Sequence, residues 1–433
     1  MKINFKNTIL VMICLLILLS GCSSNGKKPD SSSGSPDPSA GYKGGPVELV
    51  VHGSGITDVL FEQVIVPVIS AKYPEIKLKL VKGNLQELIA SGVKPDLIST
   101  AGISLLDMVR LDIPSDLSPL IKQFNVDLTR IEPVIVEEMK EIGGRLEKEG
   151  SILGMPFWMS YGATIYNKDL FDKFGYPYPD NVLSWDDILD YTKKMTRDEG
   201  GIQYIGGTIW SSVNMFKQYG APYVNSKNEP YLTSDAHAQV ARLFEKFFDI
   251  PSYIKGNTYI HSSFFDKGNI AVYPGWISGM ATALAKPPAF QWDLTSFPVY
   301  KERPGMGAPV DYLVLMISKT SKHKDAAFYV INELLKDEVQ AKVNQVGSWM
   351  TVLKDVQIKQ SYAKELNVFA GKNLKAVFGV APTPNPPYTE YRVEVTQAMN
   401  DSAKKMALEK LDINTALRKA EEEAVQLIKN NPK

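Results

Sequence analysis

Between Pro46 and Gly102 the sequence alternates strand-like and helix-like segments, and this order constrains the fold more than any other feature of the chain. Val47, Leu49, Val50 and Val51 form an apolar run that passes through His52 and ends in Gly53-Ser54-Gly55. A helical pattern follows from Thr57 to about Tyr73, where Pro67 predicts a kink and Tyr73-Pro74 a stop. Ile76, Leu78 and Leu80 then alternate with Lys77, Lys79 and Val81, the period of a strand with one polar face. Asn84 to Ser91 reads as a short helix, and Pro95 to Thr100 as a third strand closing at Ala101-Gly102. A β-α-β-α-β order predicts a parallel sheet flanked by helices, in which ligands sit at the carboxyl ends of the strands.

The later chain is richer in helical patterns. Ser184 to Met195 opens with a capping box in which Asp187 stands three residues after Ser184. Ser234 to Asp249 sets Val240, Leu243, Phe244, Phe247 and Phe248 at helical spacing, and Ser321 to Leu335 and Ile413 to Ile428 repeat that spacing. No internal repeat and no heptad pattern is present.

The first residues set Lys2 and Lys6 before an apolar run from Ile9 to Leu19, followed by Ser20, Gly21 and Cys22, the layout of an export signal. Eleven residues make a helix of roughly 16 Å, about half of what a hydrocarbon core requires, so a permanent span is not expected. Leu19-Ser20-Gly21-Cys22 resembles the bacterial lipobox, which implies cleavage before Cys22 and acylation of that residue. The expected lipoprotein is then held on the outer face of the cell membrane, weakly by one acyl chain and firmly by two or more. Residues 23–45 are dominated by Ser, Gly and Pro, the composition of a flexible tether with a reach of roughly 25 Å.

Composition narrows the chemistry. The other cysteine, Cys14, falls inside the leader, so the body lacks a disulfide, a thiolate metal site and a cysteine nucleophile. Lys and Arg number 48, as do Asp and Glu, and losing Lys2 and Lys6 with the leader moves the remainder only two charges to the acidic side. Nothing there favours a nucleic-acid partner. No G-x-S-x-G, H-E-x-x-H or P-loop motif occurs, and the four histidines at 52, 237, 261 and 323 are scattered, as expected of surface residues or caps. Asp107, Asp112 and Asp116 do not follow the EF-hand pattern, so neither a metal nor a cofactor is expected.

Several ordered blocks carry a family resemblance. They are Tyr73-Pro74-Glu75-Ile76-Lys77-Leu78, Pro95-Asp96-Leu97-Ile98, Gly154-Met155-Pro156-Phe157-Trp158, Tyr166-Asn167-Lys168-Asp169-Leu170-Phe171, Ser184-Trp185-Asp186-Asp187, Phe265 to Val272 with Trp276 beyond, and Ile317 to Ala327. In series they resemble the family 1 extracellular solute-binding proteins, the maltose-binding-like receptors of ABC importers. Val272 departs from the pattern, standing where methionine is common.

The resemblance implies an α/β, two-lobed periplasmic-binding-protein-like fold, each lobe a β-sheet flanked by helices, with three crossing segments near Phe157–Ser160, Gly268–Val272 and Leu313–Ile317. It also implies an N-terminal lobe of residues 46–157 and 269–315, and a C-terminal lobe of 158–268 and 316–433, after a leader of 1–21 and a lipidated tether of 22–45. A solute would bind between the lobes, and their closure would be a hinge motion. The implied partners of this expected monomer are a solute, an ABC permease in the membrane, and the membrane itself through the lipid.

Sugar recognition sets aromatic faces against the apolar side of a pyranose ring and adds a few polar groups for the hydroxyls. Trp158 and Trp276 are expected to face the cleft, and Trp210 and Trp349, in glycine-flanked loops, are able to reach it. Trp185 and Trp292 are expected in the core. Ser54 and Thr100 end strands at the cleft edge of the first lobe, and Ser160, Tyr161, Asp311 and Tyr312 flank crossings. The proline-rich stretch Pro382 to Tyr391 is a rigid loop whose Tyr388 and Tyr391 either line the cleft or cover a helix. An oligosaccharide receptor is the leading expectation, not an enzyme. A solute sensor that signals to a membrane kinase and a surface glycoside-active enzyme are the alternatives.

Overall fold

The computed structural model describes residues 41–431 apart from Lys148 and Asn181. The expected leader, Cys22 and the tether as far as residue 40 lie outside the described residues. Twelve strands are described: β1 (Val47–Gly53), β2 (Ile76–Val81), β3 (Leu97–Ala101), β4 (Met155–Ser160), β5 (Gly162–Asn167), β6 (Arg197–Glu199), β7 (Ile202–Tyr204), β8 (Val272–Trp276), β9 (Trp292–Ser296), β10 (Met306–Pro309), β11 (Asp311–Ile317) and β12 (Ala381–Thr383).

The alternation at the start of the chain builds what it predicts. β1 pairs in parallel with β2, Leu49 opposite Leu78, and with β3, Val51 opposite Leu97. The helix between β1 and β2 is capped by the Thr57 hydroxyl, which accepts from the Leu60 amide. Its expected kink is a widened turn: Phe61–Ile65 is π-helical, and the Val66 amide donates to the Phe61 carbonyl. Pro67 follows at once and has no N–H to extend the regular ladder, so the turn that precedes it absorbs the mismatch.

Two main sheets result. The larger runs β2-β1-β3-β11-β4, and the smaller runs β8-β5-β9. β11 is antiparallel to both neighbours, with Leu315 opposite Ser99 on one side and Asp311 opposite Ser160 on the other. In the smaller sheet β5 is flanked antiparallel by β8, with Gly162 opposite Trp276, and by β9, with Ile165 opposite Leu294. Each sheet is the centre of one lobe.

These pairings correct the expected lobe boundaries. β8 and β9, expected with the first lobe, belong to the second sheet, and only β11 returns to the first. β8 contains Pro274, which cannot donate to a ladder on both sides and is confined to an edge. The interior position beside β3 is filled instead by β11, which pairs on both edges. Gly268–Val272 is therefore no crossing: Ile205 and Asn269, then Ala271 and Ile205, exchange backbone bonds of 2.9 and 2.8 Å within the second lobe.

Helices Lys324–Leu334 and Asp337–Val346, expected in the second lobe, pack on the first. Tyr329 lies edge-on to Tyr73 at 5.4 Å and to Phe124 at 4.8 Å. The Gln340 amide donates at 2.9 Å to the Phe157 carbonyl, and its oxygen accepts from Thr351 and Val352. The chain then bridges at Leu353 to Ile131 of the first lobe, and by Phe369 has reached Trp292 of the second, at 6.1 Å. The three connections are thus Ser160 to Gly162, the step from β10 to β11, and residues 354–368.

The last expected tether residues are not loose. Tyr42 lies edge-on to Tyr329 at 5.6 Å, and the Tyr329 hydroxyl donates to the Gly41 carbonyl at 3.0 Å. Among the described residues no helix is long and apolar enough to cross a membrane.

Candidate functional site

The carboxyl ends of β1, β2 and β3 open on a cavity of about 550 Å³ in the first lobe, whose lining includes His52, Ser54, Asn84, Ser99, Thr100 and Arg110. Ser54 and Thr100, expected at this edge, are both in it. The edge is held in shape from within. The Ser99 hydroxyl donates to the carbonyls of His52 and Ser54, at 3.0 and 2.6 Å, and the His52 ring nitrogen Nε2 donates to the Gly83 carbonyl at 3.0 Å. Asn84, Asp107 and Arg110 escaped the sequence reading. Asn84 was accessible to it, because the strand-end rule applied to β1 and β3 holds equally for β2. Asp107 and Arg110 come from the helix Leu105–Arg110, for which no strand-end signal exists.

Trp158 stands on β4 opposite Leu313, half-buried, with its indole against Gly55. Gly55 has φ of +75°, and a Cβ there would come within 2.7 Å of Leu313 Cδ1 and 3.6 Å of Trp158 Cζ2. The glycine therefore supplies both the left-handed turn after β1 and the room for the indole. The Trp158 Nε1 hydrogen is buried and unpartnered among the described residues.

The second lobe contributes aromatic rings. Trp276 ends β8, and its ring meets Trp210 edge-to-face at 4.9 Å; Trp210 in turn meets Phe297 at 5.0 Å. Phe297 packs closely on Gly162, where a Cβ would approach Phe297 and Ala308 to 2.6 Å, and Trp276 stands opposite that glycine in the sheet. The structure thus brings together two of the expected tryptophans and adds Phe297. Trp349 is half-buried beside Met350, which bridges to Met159, and its neighbour Ser348 lies 3.3 Å from Thr282 on the helix that follows Trp276. Trp185 and Trp292 are core residues, as expected, 1 % and 7 % exposed. The Trp185 indole donates to Gln218 at 2.9 Å.

The walls join at Ser160, whose hydroxyl donates to Ser278 Oγ at 2.7 Å and accepts from the Ser278 amide at 3.4 Å. Ser160 is wholly buried in that junction. Tyr161 and Tyr312, expected to flank the cleft, are also packed away. The Tyr161 hydroxyl donates to Glu132 at 3.1 Å and accepts from Lys359 at 3.2 Å, and Lys359 and Glu132 form a largely buried ion pair. Tyr312 packs its ring on Gly102 and donates to Glu138 at 3.3 Å. Burial first, then the adjoining carboxylates, push both phenols well above their ordinary range.

Asp311, opposite Ser160, has its carboxyl raised by burial, an effect opposed by Lys217. Lys217 is 6 % exposed, and burial lowers its ammonium to about 8 against the pull of Glu138 and Asp311. The loop carrying Tyr388 and Tyr391 bridges the lobes rather than covering one helix: the Arg145 guanidinium donates to the Tyr388 carbonyl at 3.1 Å. His237 and His261 are buried, the first bonded through Nδ1 to Ser234 and the second through Nε2 to the Tyr253 carbonyl. Among the described residues no group of three His, Cys, Asp or Glu could hold a metal ion.

Residues 56–341 match the family model described as bacterial extracellular solute-binding protein. The comparison with curated protein sequences returns no match. Among solved structures, the ABC substrate-binding protein of Listeria monocytogenes in complex with cycloalternan superposes with a TM-score of 0.70 at 19 % identity, over 88 % of this chain and 99 % of that one. The cyclic α-maltosyl-1,6-maltose binding protein of Arthrobacter globiformis gives 0.68 at 16 %, over 89 % and 100 %. The sugar-binding protein MalE of Xanthomonas citri gives 0.67 at 16 %, over 89 % and 98 %. At these identities the likeness is one of fold.

Proposed function

The chain belongs to the bacterial extracellular solute-binding proteins, and from that premise we propose that it captures an oligosaccharide between its lobes and delivers it to an ABC permease. The observation that carries this reading is the Trp210–Trp276 pair with Phe297 behind it. Such a shelf offers ring faces and edges to the apolar side of a pyranose, which a receptor for a small inorganic ion has no use for. The polar strand ends of the first lobe, with Ser54, Asn84 and Thr100, supply donors and acceptors suited to hydroxyls. Trp158 and Trp349 add further aromatic surface, and Asp311 a carboxylate that accepts from hydroxyls. Ser160, Tyr161 and Tyr312 act through the junction, since their own polar atoms are already engaged.

The same reading places the protein outside the cytoplasm as a monomer anchored by lipid on Cys22, and makes it a receptor rather than an enzyme. Three of the similar structures are described as sugar or oligosaccharide receptors, one of them holding cycloalternan. The test is a titration of the lipid-free mature chain with neutral linear and cyclic gluco-oligosaccharides, followed by intrinsic tryptophan fluorescence and melting temperature. A ligand that binds only the folded state raises that temperature by mass action. Saturable binding without cleavage products supports the reading. Turnover would replace it with a glycoside-active enzyme, and indifference to every glycan would remove the sugar. For the anchor, Cys22→Ser should abolish incorporation of labelled palmitate.

A further inference from the structure

The stretch from Asn385 to Arg392 reaches across to the first lobe. Asn385 Nδ2 donates to Glu138 Oε2 at 2.9 Å and to the Val310 carbonyl at 3.1 Å, Arg110 donates to the Glu390 carbonyl at 3.2 Å, and Arg392 lies 3.5 Å from Asp107. Beneath these contacts is a cavity of about 20 Å³, lined by Ile103 and Glu138 of the first lobe and by Tyr223, Asn385, Tyr388 and Arg392 of the second, among others. Tyr223 Oη, Asn385 Oδ1 and Arg392 Nε are all buried without a partner among the described residues, and all three belong to side chains lining this one cavity. The Asn385 amide cannot be turned to relieve its oxygen, because its nitrogen sits between two oxygens that only accept.

We propose that this cavity is a built hydration site for a single water, shared by the two lobes. The size fits, since a water needs roughly 10–15 Å³ of such space. So does the chemistry. Arg392 Nε and the Tyr223 hydroxyl are donors, Asn385 Oδ1 and the Glu138 carboxylate are acceptors, and a water has two lone pairs and two hydrogens to meet them. A cation is disfavoured by the Arg392 guanidinium and an anion by Glu138, and a second water has no room. Because each lobe supplies part of the lining, the water is held only at the lobe separation seen here.

The sign of one substitution decides the matter. If the water is bound, Tyr223→Phe removes one of its partners and lowers the melting temperature of the mature chain by about 1–2 °C. If the cavity is dry, the same change deletes a buried hydroxyl that bonds nothing, and the melting temperature rises. A rise, or no change, overturns the proposal. An independent check is a crystal structure of the mature chain at a resolution where internal waters are visible. It should show one peak within about 3.2 Å of Tyr223 Oη, Asn385 Oδ1 and Arg392 Nε. An empty site beside other resolved internal waters also overturns it.

Discussion

The two surfaces proposed to hold the solute are made differently. The first lobe sets small polar residues, Ser54, Ser99 and Thr100, at the ends of β1 and β3, braced by backbone carbonyls, whereas the second presents Trp210 and Trp276 packed edge-to-face, with Phe297 buried behind them. The difference follows from the sheets. Parallel strands stop together at one edge, where short hydroxyl side chains and exposed backbone are concentrated. In the three-stranded antiparallel sheet β8 runs out at Trp276 on the edge, so a large side chain can leave the sheet without being covered. A solute that suits both walls has one polar and one apolar aspect, as a pyranose does.

The contrast is open to direct test. The largest expected effect is on stability and belongs to the second lobe alone. Burial lowers His237 from an ordinary 6.5 to about 3. Between those values the unfolded chain binds a proton that the folded chain refuses, so stability falls as pH drops from about 6.5 toward about 3, by up to about 5 kcal/mol. Hydrogen exchange at pH 4 against pH 7 should show the helix Asp235–Phe248 losing protection before β1 to β3, and His237→Gln should flatten that dependence. Equal loss in both lobes would contradict it.

Next comes solute affinity. Trp276→Ala and Trp210→Ala should each weaken oligosaccharide binding by about 2–3 kcal/mol, or roughly 30- to 150-fold by calorimetry, with the circular dichroism spectrum retained. Ser54→Ala and Thr100→Ala should cost only about 0.5–1.5 kcal/mol each, roughly 2- to 10-fold. If the hydroxyl variants lose more than the tryptophan variants, the aromatic wall is not the one that holds the sugar. A comparable change in stability, about 1–2 kcal/mol by urea titration, is expected for Gly55→Ala, which strains a φ of +75° and presses on Leu313. Its solute affinity should fall too, because the turn seats Trp158.

The first wall was more legible in the sequence than the second, for reasons of distance along the chain. β1 to β3 are consecutive, and local periodicity with helix signals between them suffices to stack them. The second sheet draws β5, β8 and β9 from residues 162–296, and nothing local says which sheet a strand joins. That is why Val272–Trp276 was expected with the first sheet, and the bearing of Pro274, which confines its strand to an edge, went unused. The aromatic wall was half legible. Trp276 stood out by its place beyond an expected crossing and Trp210 as a tryptophan in a glycine-flanked loop, but nothing in the sequence sets Phe297, which is wholly buried, behind them. Tyr161 and Tyr312 were placed near the cleft by their position beside crossings. Their hydroxyls instead meet Glu132 and Glu138, carboxylates 29 and 174 residues away, a pairing that no spacing rule could anticipate.

The ion pair beneath Tyr161 bears on how the lobes can move. Glu132 sits at the head of a first-lobe helix, Tyr161 lies in the first connection and Lys359 in the third, and all three are bonded to one another. Two strands of the joint are therefore laced together at one point and cannot flex separately. Breaking the lacing would strand a buried charge, which costs more than a bend elsewhere. Of the rotations and slides open to two bodies on three independent strands, such a coupling leaves chiefly one, a swing about an axis through that point.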